Sequence, residues 1–325
     1  MTIIDAHAHV LPKDYPVRDG FPRMTPIDGD TAREMFFGAF HYLAKDVWFE
    51  AERRIAAMDE CGVDEEIISP MPPLLNYTLD VATGTDLFRH VNESIAGYVA
   101  AGQGRIHGLG IVPLQDPEVA AAELTRIAEL GLRGAEIATH VNGTPIGEPE
   151  YLVVFQEAER LGLGLFVHTL PRADEVGVAA QYRGSIGVGI EGTRGAASIA
   201  LGGHAQHCAL DKLLFSHAAG GLPSILARAD YFWGNAPEDQ RTAEPPSAIA
   251  RRFFYDSMVF DPAGLRFIID YLGADRIMLG TDFPAMPRLT PLAALLDGLG
   301  LDEHDRALIA SENARRFVAE SSASL

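Results

Sequence analysis

Cysteine is nearly absent from this sequence: Cys61 and Cys208 are the only two in 325 residues. Two thiols make no disulfide framework, so a reducing, cytoplasmic setting is the expectation. Long apolar runs are missing as well. None approaches the roughly 20 residues that a membrane-crossing helix needs. The first apolar stretch is interrupted by Asp5, His7 and His9, so it is not expected to act as a signal peptide. Positive charge is scarce, with 26 basic against 45 acidic residues and a formal net charge of −19. That balance excludes nucleic acid and anionic membranes as partners, since both need a positive field. An anionic substrate would need a local cation to overcome it. With no linker, repeat or low-complexity tract, residues 1–325 read as one domain, and the terminal "ESSASL" is expected to fray.

What remains is an alternation of short apolar runs with helical patterns. "IIDAHAHVLP" (3–12) is followed by "EEIISP" (65–70), "IHGLGIVPL" (106–114), "GAEIATH" (134–140) and "LGLFVHT" (163–169). "DKLLFSHAAGG" (211–221), "RRFFYDS" (251–257) and "DRIMLGTDFP" (275–284) complete eight strand candidates. Between them lie helices with readable ends: Asp116 can cap and Pro117 start one that Gly131 closes, and Asp261 with Pro262 repeats the pattern. Eight runs separated by helices predict an α/β fold, a (β/α)8 TIM barrel. A doubly wound open sheet competes, but no G-x-G-x-x-G follows the first run. Residues 11–50 are too long for an ordinary connection and read as a lid or insertion after the first strand.

In such a barrel the chemistry gathers at the C-terminal ends of the strands. His7 and His9 are two residues apart on the first run, so in a strand both point to one face. There they chelate a metal or crowd each other. His168 ends the fifth run, His217 the sixth, and Asp282 the eighth. Imidazoles and a carboxylate converging from several strands make a Zn-type site with room for water. His217 is the natural proton carrier, its ordinary pKa of about 6.5 suiting that work. Phe283, next to Asp282, is a candidate for stacking on a flat substrate. His204 and His207 read as a solvated helix face, and His140 as a residue that can face the mouth.

The motifs "DAHAHVLP", "RIAAMDECGVD", "GLGIVPLQDPEVAAAELTRIAELGLRGAEI", "VHT", "SHAAGG", "FFYDSMVFDP" and "DRIMLGTDFP" resemble the decarboxylase branch of the amidohydrolase superfamily. The resemblance implies one divalent metal, Zn2+ or another ion such as Mn2+, and no organic cofactor. It implies His7, His9, His168 and Asp282 as metal ligands, with His217 unliganded as acid/base and Asp282 beside it in catalysis. The implied reaction is O2-independent loss of CO2 from a small aromatic carboxylate in a catabolic pathway. The implied assembly is a homodimer. On nearly the same ligands the superfamily also holds hydrolases and hydratases, which is the alternative. Counting back from Trp48, the position that holds a substrate-binding arginine in the semialdehyde-specific members is His41. A second such arginine falls near Ala236, so the resemblance implies a different substrate here.

Overall fold

The structure is a computed structural model that describes residues 1–27, 31–38, 40–170, 172 and 179–320. The expected fraying at 321–325 lies outside the described residues. Eight parallel barrel strands form where the apolar runs predict them. They are β1 (Ile4–Val10), β5 (Glu65–Pro70), the split third strand β6 (Ile106–Gly108) and β7 (Gly110–Ile111), and β8 (Gly134–Ala138). A two-stranded ribbon, β9 (His140–Val141) and β10 (Thr144–Pro145), follows, and β11 (Gly164–His168), β12 (Leu213–Phe215), β13 (Phe254–Asp256) and β14 (Ile277–Met278) complete the ring. One run of pairing joins β1, β5 and β6; another joins β7, β8 and β11 to β14 in sequence. Two seams close them into a barrel. At one, the Leu109 amide donates to the Ile68 carbonyl at 2.8 Å across the break between β6 and β7. At the other, the Ala6 amide donates to Leu279 and the Asp282 amide to His7, both at 2.8 Å.

The helices start as their sequences direct. In α3 (Pro117–Glu129) the Asp116 carboxylate accepts from the Val119 amide at 3.2 Å, and in α8 (Pro262–Leu272) Asp261 accepts from Gly264 at 2.8 Å. Packed outside the strands with them are α1 (Ala51–Cys61), α2 (Val81–Ala101), α4 (Leu152–Leu161), α5 (Val188–Leu201), α6 (Leu222–Asn235) and α7 (Pro246–Ala250). The barrel's lower interior is apolar, filled by Ile67, Leu109, Phe166, Leu214, Phe254 and Met278. Phe317, on the last helix α10 (Asn313–Val318), plugs it from below. Gly164 is required there, because a Cβ on it would meet the Phe317 ring at 2.6 Å.

The segment after β1 is a three-stranded antiparallel sheet: β2 (Arg23–Ile27), β3 (Ala32–Phe37) and β4 (Phe40–Lys45), in that order. Buried Trp48 anchors it, its carbonyl accepting from the Leu11 amide at 2.9 Å. The tip of the sheet, at Phe37, Gly38 and Phe40, borders a cavity of about 300 Å3. Pro72 to Asn76 and Leu170, which follow the C-terminal ends of β5 and β11, line its other side.

Candidate metal centre

Strand alternation delivers His7 and His9 to the barrel interior, both fully buried. Each ring is fixed through its Nδ1. That of His7 donates to Asp256 at the end of β13 (2.6 Å), and that of His9 to the Pro70 carbonyl at the end of β5 (2.8 Å). His168, at the end of β11, donates its Nδ1–H to the Thr169 carbonyl at 3.0 Å. A carbonyl or carboxylate oxygen only accepts, so each Nδ1 carries a proton and in the neutral ring each Nε2 is a bare lone pair. These three Nε2 atoms and an Asp282 carboxylate oxygen lie within 4.8 Å of one another. The His7 and His9 Nε2 atoms are 3.0 Å apart, and His9 Nε2 is 3.1 Å from Asp282 Oδ1. His168 Nε2 is buried with no hydrogen-bond partner.

Four acceptors aimed at one point, with no donor among them, form a cluster that is complete only around a cation. The donor set therefore fits a divalent metal. The electrostatics agree. Burial opposes charge on Asp282, yet the imidazoles of His9, His7 and His168 that face it hold its carboxyl below the usual carboxylate range. Burial drives His9 below its ordinary value, and His168 well below it, with the neighbouring imidazoles adding to the effect. Both rings stay neutral and fit to ligate. Burial works against protonation of His7 too, but the hydrogen bond to Asp256 together with the fields of Asp256, Asp282 and Asp5 outweighs it and raises its pKa.

His217 stands beside this cluster, outside the four. Its ring centroid is 5.3 Å from that of His7 and 5.4 Å from that of His168. The "SHAAGG" segment reaches it through three consecutive left-handed residues, His217, Ala218 and Ala219 (φ +50°, +51° and +55°). L-residues resist this conformation at roughly 1–2 kcal/mol each. The Asp256 carboxylate offsets the strain, accepting from the amides of His217 and Ala218 at 2.9 Å each. Asp256 thus orients both a ligand and its neighbour, a residue that sequence reasoning passed over. Its signal was an acid ending the apolar run "FFYD". Glu136 was missed likewise. It points into the barrel from β8 with both oxygens buried and unpartnered, its Oε2 3.7 Å from His9 Nδ1. Burial pushes its carboxyl up to about 8, against a lowering by the nearby Ser69.

The two expected substrate contacts do not join the cluster. His41 sits on the outer face of β4, half-exposed, stacked on Phe36 and paired with Glu34 at 2.6 Å. Alternation turns its neighbour Tyr42 inward instead, edge-on to Trp48 and within the field of Asp282. The Phe283 ring is covered by the Arg288 guanidinium, 3.9 Å from its centroid. His140 lies on the short strand β9, its Nε2 3.0 Å from the Leu170 carbonyl. His204 is buried edge-on against Phe155 rather than lying on a solvated helix face.

The chain is similar to known proteins along most of its length. The chain is 28% identical over 305 residues to a 2-amino-3-carboxymuconate-6-semialdehyde decarboxylase of Dictyostelium discoideum, covering 91% of this chain and 84% of that one. It is 29% identical over 285 residues to a gamma-resorcylate decarboxylase of Rhodococcus jostii, covering 80% and 85%. The crystal structure of the 5-carboxyvanillate decarboxylase LigW from Sphingomonas paucimobilis superposes with a TM-score of 0.78 at 26% identity, covering 98% of this chain and 99% of that one. A family model described as amidohydrolase matches residues 4–319, and the chain belongs to the amidohydrolase family.

Proposed function

We propose that this chain is a metal-dependent, non-oxidative decarboxylase of a small hydroxylated aromatic or heteroaromatic acid, working without organic cofactor or oxygen. The observation that carries the reading is the convergence of three bare Nε2 atoms and the Asp282 carboxylate in the barrel. It occurs in a chain whose relatives, matched along most of its length, are named decarboxylases. His7, His9, His168 and Asp282 would hold the ion. Three imidazoles and one carboxylate suit zinc, with manganese as the alternative. When bound, the ion supplies Lewis-acid stabilisation of developing charge and a fixed seat for the substrate carboxylate.

Decarboxylation breaks the bond between the ring carbon and its carboxylate. The electron pair stays on that carbon, which takes a proton, and CO2 leaves, so one proton is consumed for each CO2 released. The chain's own task is to hold the ring and move that proton. Asp282 and His217 are the titratable groups for it. Asp282 is held ionised by its histidine neighbours, which favours His217, outside the ligand set, as the carrier. Tyr42, on the inward face of β4, takes the substrate-facing place first expected of His41, and the β2–β4 sheet serves as the lid. A homodimer completes the reading, supported by Ile225, Tyr231 and Phe232 exposed on α6. The free thiols Cys61 and Cys208 suit a reducing, cytoplasmic setting.

The test is mass spectrometry of zinc-reconstituted protein incubated with hydroxybenzoates and hydroxypyridine carboxylates, alongside matched amides and lactones. Loss of CO2, absent from the metal-stripped control, is the expected outcome. Products gained or split by one water would overturn it in favour of a hydrolase or hydratase.

A further inference from the structure

Behind the ligand cluster, four charged side chains lie buried together. Those of Asp5, Arg54 and Glu66 are inaccessible, and that of Arg288 is 1% exposed. Asp5 and Glu66 are register partners on β1 and β5, Arg54 comes from α1, and Arg288 follows Asp282 by six residues. The Arg288 guanidinium forks across both acids, its Nε donating to Asp5 at 2.9 Å and its Nη2 to Glu66. Arg54 Nη1 donates to the other Glu66 oxygen at 2.7 Å. Two cations meet two anions, and the group is neutral as a whole.

No member of the group reaches the four ligand atoms. Asp5 and Arg54 instead grip the backbone that carries two of them. Asp5 accepts from the His7 amide at 3.1 Å, and Arg54 Nη2 donates to the His9 carbonyl. The Thr281 hydroxyl donates to Asp5 and accepts from the Phe283 amide at 3.3 Å. Arg288 caps the Phe283 ring. Asp282 sits between Thr281 and Phe283 at φ +57°. A non-glycine residue adopts that conformation only where its surroundings over-determine it. Stability alone gives no reason for such a group, since a buried ion pair can often be replaced by packed apolar residues at little cost. What planar, bidentate contacts supply is fixed geometry.

We infer that Arg288 is a positioning residue. Through Asp5, Glu66, Thr281 and the Phe283 ring, it holds Asp282 in its left-handed conformation and at ligand distance from His7 and His9. The inference rests on the metal-site reading and adds a determinant to it from outside the ligand set.

Arg288→Lys tests it, because the charge stays while the fork and the flat stack are lost. The full-length apoprotein would be titrated with Co2+ in competition with a chromophoric chelator, and the visible Co2+ spectrum recorded beside the apoprotein's circular dichroism and Tm. With the fold retained, Co2+ affinity is expected to fall about 10–100-fold, as for other residues that orient metal ligands, with a shifted Co2+ spectrum. Thr281→Val, which leaves all four charges in place, is expected to move both in the same direction by less. A folded R288K with wild-type affinity and spectrum, and only a lower Tm, would reduce the group to a structural one. If R288K does not fold, T281V decides by the same criteria. Wild-type protein that takes up no Co2+ would instead sink the metal-site reading, and the inference with it.

Discussion

His217 and His204 have the same side chain, and their surroundings separate them. His217 stands next to four ligand atoms without joining them, so His217→Asn should cost turnover and spare the metal. General acid–base groups contribute about 10²–10⁴-fold, and kcat measured beside metal content by elemental mass spectrometry checks this. A variant that lost its metal would make His217 a ligand. His204 faces Phe155 and no acid, and burial pushes its pKa down to about 4. When folded, it stays neutral until about pH 4, whereas the unfolded chain protonates near pH 6.5. Between those values the unfolded state binds more protons, so stability falls as pH drops through this window. His204→Phe removes the term. In urea unfolding at pH 7 and 4.5, the wild type should lose more stability on acidification than H204F does. Parallel losses would show that His204 is not held neutral.

The barrel strands, more than any other elements, were legible in the sequence. Buried parallel strands read as short apolar runs bounded by turn residues, and Asp-Pro starts such as those of α3 and α8 fix their helices locally. His7 and His9 were legible for the same reason, since spacing by two on a strand is a statement about faces. The insertion was not. Its length flagged it, but its three strands pair only with each other at one edge of the core, so their pattern is weakly imposed. Counting to His41 from Trp48 gave a position without a face, and the face belongs to Tyr42. Arg54 and Arg288 were illegible because nothing local distinguishes an arginine whose partners lie 12 and 222 residues away from one in solvent. The lower barrel yields an element-scale prediction. Phe317 belongs to α10, yet it fills space between Phe254 and Gly164. Phe317→Ala leaves that volume open beneath β11 and should cost about 3–5 kcal/mol, measured by equilibrium denaturation. A loss below 1 kcal/mol would mean that α10 is not the plug.

At the scale of the whole molecule, the fold spends stability to assemble a site from residues 7 to 282. Closing the ring sets three lone pairs and a carboxylate side by side in the barrel interior, three consecutive residues into left-handed backbone, and four charges behind them without solvent. The net charge of −19 adds a diffuse self-repulsion, which a cation relieves and which salt screens beyond about 8–10 Å. Each of these terms is unfavourable in the metal-free protein, and the local ones are worst where the four acceptors meet. A divalent ion that binds the native cluster and not the unfolded chain must then shift the folding equilibrium. The gain is about 4 kcal/mol at a free-ion concentration a thousandfold above Kd. For a chain of this size a kilocalorie moves Tm by about 2 °C, so stripping the ion should lower Tm by roughly 8 °C. Scanning calorimetry of chelator-treated and reconstituted protein reads this directly, and the increment should grow with the logarithm of ion concentration above Kd. His168→Ala supplies the control: it removes one lone pair, so its apoprotein should melt little below that of the wild type while most of the metal-dependent increment disappears. If the two proteins kept the same increment, the ion would be binding elsewhere on the acidic surface and the four-residue cluster would not be its site.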